Sequence, residues 1–266
     1  MEIEGSRVLL TGATGGLGRE MAQRLARSGA DLTLSGRDEQ ALQELADELP
    51  GSVHSVVACD FGRPGAAIEL AGKAGEVDGL VANAALPSTG RLDHLDSEQV
   101  TRMLRINLES PILLSQALLP GMLERDRGKL VLIGSLAGKI GSPRSSIYNA
   151  TKFGLRGFAF GLKVDLAGTG VGVSLVAPGF VRDAGMFADS GVAAPAGMGT
   201  TSPGEVADAV VKAIEGDPLE IAVAPVVQKV IAQIATLSPG LAYLAQKGQA
   251  GQKTAEQVSA GQVDKR

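Results

Sequence analysis

One cysteine, Cys59, stands alone among 266 residues, so no internal disulfide can form. A free, buried thiol in a reducing compartment is the reading that follows. A basic excess is also missing. Twenty-five Lys and Arg stand against 29 Asp and Glu, a net charge of −4. That balance excludes the electrostatic footprint of a nucleic-acid binder and offers little to an anionic membrane. No apolar run is long enough to span a bilayer. The opening Met1-Glu2-Ile3-Glu4 lacks the positive and apolar stretches of a signal peptide. These absences predict a cytoplasmic protein that binds neither nucleic acid nor membrane, and no metal is expected. Aromatic residues are scarce, at 3%.

Glycine is plentiful, at 36 residues, and 44% of the chain is apolar. That combination suits a layered α/β protein with many tight turns and a sizeable core. Hydrophobic periodicity alternates between strand and helix from the start. Strands are predicted at Arg7 to Thr11, Asp31 to Ser35, Val53 to Cys59, Gly79 to Ala82, Lys129 to Ile133, Val171 to Val176 and Ile221 to Val223. Helical spacing fills Leu17 to Ser28, Asp38 to Leu49, Gly65 to Ala74, Asp96 to about Leu119, and Ser146 to Ala167. Asp96 with Gln99, and Ser202 with Pro203 and Glu205, carry the signature of capped helix starts. This order predicts an α/β fold: one doubly wound parallel sheet of about seven strands, with helices on both faces.

The first strand runs into Thr11-Gly12-Ala13-Thr14-Gly15-Gly16-Leu17-Gly18 and then a helix. Glycines let backbone pass close to a pyrophosphate, and a helix N-terminus presents N–H donors and partial positive charge. A Gly-rich turn alone is a weak signal; between a strand and a helix it is in the context that dinucleotide binding requires. Where strand two ends, an acid would bond the 2′-OH of NAD, whereas an Arg accommodates the 2′-phosphate of NADP. Gly36 and Arg37 stand there, with Ser35 and Asp38 as neighbours. NADP(H) rather than NAD(H) is therefore expected. The alternative is a solvated Arg37, or one paired with Asp38.

Tyr148-Asn149-Ala150-Thr151-Lys152 opens a helical stretch, which puts Tyr148 and Lys152 on one face. Ser135 lies thirteen residues before the tyrosine, just past an apolar strand. The Thr-GxxxGxG turn, the strand-end serine and the YxxxK together resemble the short-chain dehydrogenase/reductase family over about Arg7 to Gly216. Each of these residues has an ordinary alternative, such as a core tyrosine or a solvated lysine; the combination gives them weight.

The resemblance implies a Rossmann-type fold and a catalytic set of Ser135, Tyr148 and Lys152. It adds Asn107, which would hold a water joining Lys152 to solvent; an Asn that merely bonds backbone is the alternative. It implies cofactor contacts from Gly12, Thr14, Gly15, Gly16, Leu17 and Gly18. Asp60 and Phe61 would meet the adenine, and Asn83 and Ala84 would lie beside the cofactor. Tyr148 and Lys152 would approach the nicotinamide ribose, and Pro178, Gly179 and Val181 the nicotinamide amide. Asp183 stands where a Thr is common in the family, and Ala82 and Ala85 depart from its usual strand-four motif.

The chemistry accounts for the residue types. A phenol has a reference pKa near ~10, too high for an efficient base at neutral pH. A cation at ~4 Å in an effective dielectric of about 20 is worth roughly 4 kcal/mol, or about three pKa units. Lys152 is expected to bring Tyr148 down in this way, while Ser135 donates a hydrogen bond to the substrate oxygen. The implied reaction interconverts a carbonyl and an alcohol by hydride transfer. An NADP(H)-binding regulator or scaffold without turnover is the alternative.

The organisation expected is one domain over 1–246, with a lid loop at about 183–201, a helical extension at about 225–246 and a flexible tail over 247–266. Met186, Phe187 and Met198 would make the lid apolar and suit a hydrophobic substrate. The stripe Val226, Val230, Ile231, Ile234, Leu237, Leu241 and Leu244 is read as core or dimer packing, with a pocket wall and then a membrane surface as alternatives. A homo-oligomer, dimer or tetramer, is expected.

Overall fold

The computed structural model describes residues 1–51, 53–87, 89–247 and 249–262. Its sheet has seven strands, all parallel: β1 (Arg7–Thr11), β2 (Asp31–Gly36), β3 (Ser55–Ala58), β4 (Gly79–Ala82), β5 (Gly128–Ile133), β6 (Val171–Pro178) and β7 (Glu220–Val223). They lie in the order β3-β2-β1-β4-β5-β6-β7. Chain direction across the sheet therefore reverses between β1 and β4, and ligands of such sheets bind outside the carboxyl ends at that point.

The central strands bury alternate side chains in opposite layers, as the two-residue period demands. Val8 and Leu10 of β1 join Val131 and Ile133 of β5 on one face. Leu9 joins Leu130 and Leu132 on the other. The first face is covered by α1 (Gly16–Arg27), α2 (Glu39–Glu48) and α7 (Pro203–Gly216), through Met21, Leu25, Leu42, Leu45, Val206 and Val210. The second is covered by α3 (Ala66–Ala74), α5 (Ser110–Glu124) and α6 (Ser146–Asp165), through Leu70, Leu114, Leu118 and Leu155. With both faces covered, β5 is buried at all six positions, which is why Leu130 to Ile133 are apolar without alternation.

The helix starts form as their caps predict. Asp96 accepts from the Gln99 amide at 2.7 Å and opens α4 (Ser97–Leu104). Ser202 and Glu205 close the same reciprocal box at α7. The long helix expected from Asp96 is broken by a π turn, Arg105–Glu109, between α4 and α5, and it runs on to Glu124. Beyond β7 come α8 (Val226–Leu237) and α9 (Pro239–Gln246), divided at the expected Pro239-Gly240 break. The apolar stripe does not enter this chain's core. Ala232 and Ala235 face the body, while Val226, Leu237, Leu241 and Leu244 are all more than half exposed. The tail, expected to fray, carries α10 (Gln249–Ala260). The rest of that tail, 248 and 263–266, lies outside the described residues.

One charge breaks the apolar run of β5. Lys129 is 2% exposed, and its ammonium is paired with Asp217, the left-handed residue that ends α7. Asp217 also holds Lys163, at 2.8 Å. Burial pushes the Lys129 pKa down, and Asp217 opposes the shift. Asp217→Asn keeps the turn geometry but leaves a buried cation unmatched, and is expected to cost about 2 kcal/mol in denaturant unfolding. Lys129→Met removes the need for a partner and is expected to stay within about 1 kcal/mol of wild type. The reverse ranking would show that the pair stabilises more than it costs to desolvate.

Candidate active site

The site begins at the reversal point. Thr11, 1% exposed, ends β1 and turns its hydroxyl toward β4. That oxygen accepts from the backbone N–H groups of Asn83 and Ala84, both at 3.0 Å. The Asn83 side chain answers by donating to the carbonyls of Thr11 and Gly12, at 3.1 Å each. Gly12 has φ +64, and a Cβ there would lie 2.9 Å from the Ala84 Cα. Only glycine meets both demands. The turn then enters α1 with Gly15 as an N-cap that has no side-chain hydrogen bond. Among the described residues, the N–H groups of Gly16, Leu17 and Gly18 have no partner. Open donors at a helix N-terminus suit an anion.

Beside them, a cleft is lined by Thr14, Arg37, Asp38 and Glu39. Asp38 does not pair with Arg37. Its carboxylate caps α2 by accepting from the Ala41 amide at 3.0 Å. Among the described residues Arg37 has no hydrogen-bond or ionic partner. A second cavity, of about 160 Å³, opens between Arg37, Cys59, Asp60, Arg63 and Leu70. One Asp60 oxygen is taken by the Gly62 amide at 2.9 Å, and the Phe61 side chain is buried. Burial pushes the Cys59 thiol up to about 11, so it is an inert thiol rather than a nucleophile.

The second half of the site hangs on β5 and α6. Ser135 follows β5 and starts a single 3₁₀ turn, Leu136–Gly138, by accepting from the Ala137 amide at 3.1 Å. A Cβ on Gly138 would lie 2.6 Å from the Lys152 carbonyl, so glycine lets this turn rest directly on α6. Asn149 braces the rest of the loop. Its amide donates to the carbonyls of Ala137 and Ile140 at 2.8 Å, and its oxygen accepts from Ser142 at 3.0 Å. The Ser135 hydroxyl donates to the Pro178 carbonyl at 3.4 Å and lies near enough to act on the Tyr148 phenol. Lys152, 4% exposed, donates to the Ile133 carbonyl at 2.8 Å and stands 5.8 Å from the centre of the Tyr148 ring.

The electrostatics differ from expectation. Tyr148 is not drawn down: burial raises its pKa, and the Ser135 hydrogen bond only opposes the rise. Burial also lowers the Lys152 ammonium from 10.5 to about 8. Taking either charge out of water costs more than their mutual attraction returns at this spacing, and the ammonium is turned to a carbonyl rather than to the phenol.

Asn107 sits in the π turn with both side-chain groups engaged. Its oxygen accepts from the Leu86 amide at 2.7 Å, and its nitrogen donates to the Leu86 carbonyl at 2.8 Å. Past β6, the Gly179 and Phe180 amides are held by the Val223 carbonyl (3.0 Å) and the Gln228 oxygen (3.2 Å). The Val181 N–H is left without a partner among the described residues. Asp183 turns to Arg182, at 3.3 Å. The structure thus gathers the predicted residues along one edge. Sequence reasoning missed the bracing by Thr11, Asn149 and Gln228. Each is a buried polar side chain amid apolar neighbours, and that was the only available signal.

This arrangement, a Gly-rich turn at the reversal point with Ser, Tyr and Lys at the neighbouring strand end, is a candidate active site on a dinucleotide-binding type of sheet. The family described as short chain dehydrogenase matches residues 6–193, and the chain belongs to the short-chain dehydrogenase/reductase family. It is 34% identical to the ketoacyl reductase HetN of Nostoc sp., over 83% of this chain and 79% of that one. It is 33% identical to dehydrogenase/reductase SDR family member 7B of Mus musculus, over 89% and 78%. An actinorhodin polyketide ketoreductase variant solved with NADPH superposes with a TM-score of 0.74 at 29% identity, over 83% and 96%.

The buried lysine has a measurable consequence. With its folded pKa below 10.5, the native state releases this proton more readily than the unfolded chain does. Its cost is complete below about pH 8 and fades as pH rises from about 8 to 10.5. Lys152→Met is expected to be more stable than wild type by roughly 2 kcal/mol at pH 7, after the Ile133 carbonyl loses its donor. Denaturant unfolding at several pH values should show that advantage vanish by about pH 10.5. An advantage independent of pH would contradict a charged Lys152.

Proposed function

We propose that the chain is an NADP(H)-dependent oxidoreductase that interconverts a carbonyl and an alcohol, with Tyr148 as the acid/base. The observation that carries this reading is the convergence of Ser135, Tyr148 and Lys152 beside a glycine turn with unfilled N–H donors. The turn suits the cofactor: Gly12 lets it pack directly on Ala84, and Gly16, Leu17 and Gly18 offer donors for the pyrophosphate. The unpartnered guanidinium of Arg37 can grip a 2′-phosphate with two parallel hydrogen bonds. Gly36 leaves no carboxylate to repel it. Asp60 keeps one oxygen for the adenine amino group, and the Val181 N–H is free for the nicotinamide amide. When bound, the cofactor supplies or accepts the hydride.

The chain's own residues handle the proton. Ser135 orients the substrate oxygen by donating to it. A phenol whose pKa is raised rests in its acid form, the form that carbonyl reduction consumes. Lys152 stands behind Tyr148 and steadies the phenolate left after transfer. The Asn107 side chain is occupied, so its share in proton resupply falls to the main chain, where a π turn loosens the regular carbonyl pairing. Phe180 and Phe187, with ring centres 4.6 Å apart, give the mouth an apolar lining that suits a hydrophobic carbonyl compound.

Two measurements test this. Fluorescence titration should show NADPH bound more tightly than NADH. The preference should fall by about tenfold or more in Arg37→Ala, as loss of a charge-assisted hydrogen-bond pair implies. Equal affinities in wild type would remove the NADP assignment. In a carbonyl-reduction panel, Tyr148→Phe should lose roughly 10²–10⁴-fold in turnover and still bind NADPH. Undiminished turnover would remove Tyr148 from the chemistry.

A further inference from the structure

Three loops leave the sheet edge that carries the site: 83–91 after β4, 134–145 after β5 and 179–202 after β6. One short piece of chain, at the end of α10 and just beyond it, touches all three. Gln262, 3% exposed, accepts from the Thr89 hydroxyl and donates to the Met186 carbonyl, both at 2.7 Å. It therefore joins the loop after β4 to the lid. Glu256 pairs with Arg144 at 2.7 Å, four residues before Tyr148. Gly261 packs so closely on the lid that a Cβ would lie 2.5 Å from the Ser190 carbonyl. The lid is fixed elsewhere at its base and where Ala184 and Gly185 rest on Gly16 and Leu17 at the start of α1. The Val181–Thr201 bridge closes its two ends, and Gln228 donates to the carbonyls of Met198 and Gly199. The stretch between those anchors, which includes Phe187, gains its contacts to the outer loops from residues 256–262.

We propose that residues 256–262 form the outer wall of the substrate site and clasp the lid shut, with Gln262 and Glu256 as positioning residues that govern entry and release. Three bridges to three loops exceed what anchoring a tail needs, and all fall on the edge where substrate must arrive. A single neutral carboxamide joins two loops through one donor and one acceptor, so it can open without leaving an unpaired charge. A substrate admitted by such a clasp is a free, compact carbonyl compound that the closed lid can enclose. The word substrate rests on the oxidoreductase reading above; the clasp does not.

Hydrogen exchange on the full chain decides the matter. In Gln262→Ala, amides 184–191 should exchange about tenfold faster, as for a local opening made easier, while those of β5 keep their wild-type rates. Arg144→Glu and Glu256→Arg should each do the same, and the double charge swap should restore slow exchange. With NADPH and 2-tetralone as the probe ketone, Gln262→Ala should raise KM several-fold and leave kcat equal or higher, because closure holds substrate and slows release. Unchanged lid exchange in all single variants, or a rise shared equally by β5, would overturn the proposal. Should 2-tetralone and every other carbonyl go unreduced, the oxidoreductase reading fails, and the exchange rates still decide the clasp.

Discussion

The hydroxyl of Thr11 sets the spacing on which the rest of the site depends. It accepts two amides from the end of β4, while Asn83 returns two hydrogen bonds to the end of β1. The two strands that flank the reversal are thus tied through each other's backbone, with no long side chain between them. The Gly12 turn, the start of α1 and the loop that carries Asn83 all take their positions from that knot. The same device recurs along the edge. Asn107 grips Leu86, Asn149 grips the loop after Ser135, and Gln228 grips both ends of the lid. A carboxamide supplies donor and acceptor together and carries no charge. Loops can be braced this way without adding a field near the buried lysine.

That field is sparse by construction. Lys152 is buried without a carboxylate partner among its described contacts, and its ammonium is answered by a carbonyl. Burial weakens the proton hold of the lysine and strengthens that of the tyrosine. Near pH 7 the protein alone therefore favours a neutral phenol beside a lysine that keeps its proton less firmly than in water. A bound, charged nicotinamide would add the missing field only when the reaction needs it.

Much of this was legible in the sequence because it follows from local chemistry. The two-residue alternation of β1, the apolar stretch Leu130 to Ile133 of β5, and the boxes at Asp96 and Ser202 each dictate their own element. Gly12, Ser135, Tyr148 and Lys152 are recognisable because turn geometry and helical spacing constrain which residues can stand there. What was illegible depends on contacts between distant segments. The π turn at Asn107 went unread although Pro111, four residues on, lacks the N–H that a regular helix would direct to the Asn107 carbonyl. Asp38 was read as a possible rival for Arg37, but capping α2 is the nearer use of its carboxylate. The exposure of the Val226–Leu237 stripe could not be read either, since its period is that of any helix with one face covered. Which face is covered was settled by Ala232 and Ala235, whose small side chains let α8 lie close to the body.

The strand order carries a consequence for how the chain folds. β1 pairs on one side with β2, some twenty-four residues on, and on the other with β4, about seventy residues on. Synthesis therefore yields an N-terminal half with β1, β2 and β3 able to associate while one edge of β1 waits, unpaired, for Gly79–Ala82. Loop closure over that longer separation makes it the slower pairing, and the waiting edge is open to wrong partners. The crossover that opens a crevice for the cofactor is thus also the step at which the nascent sheet is most exposed to misassembly.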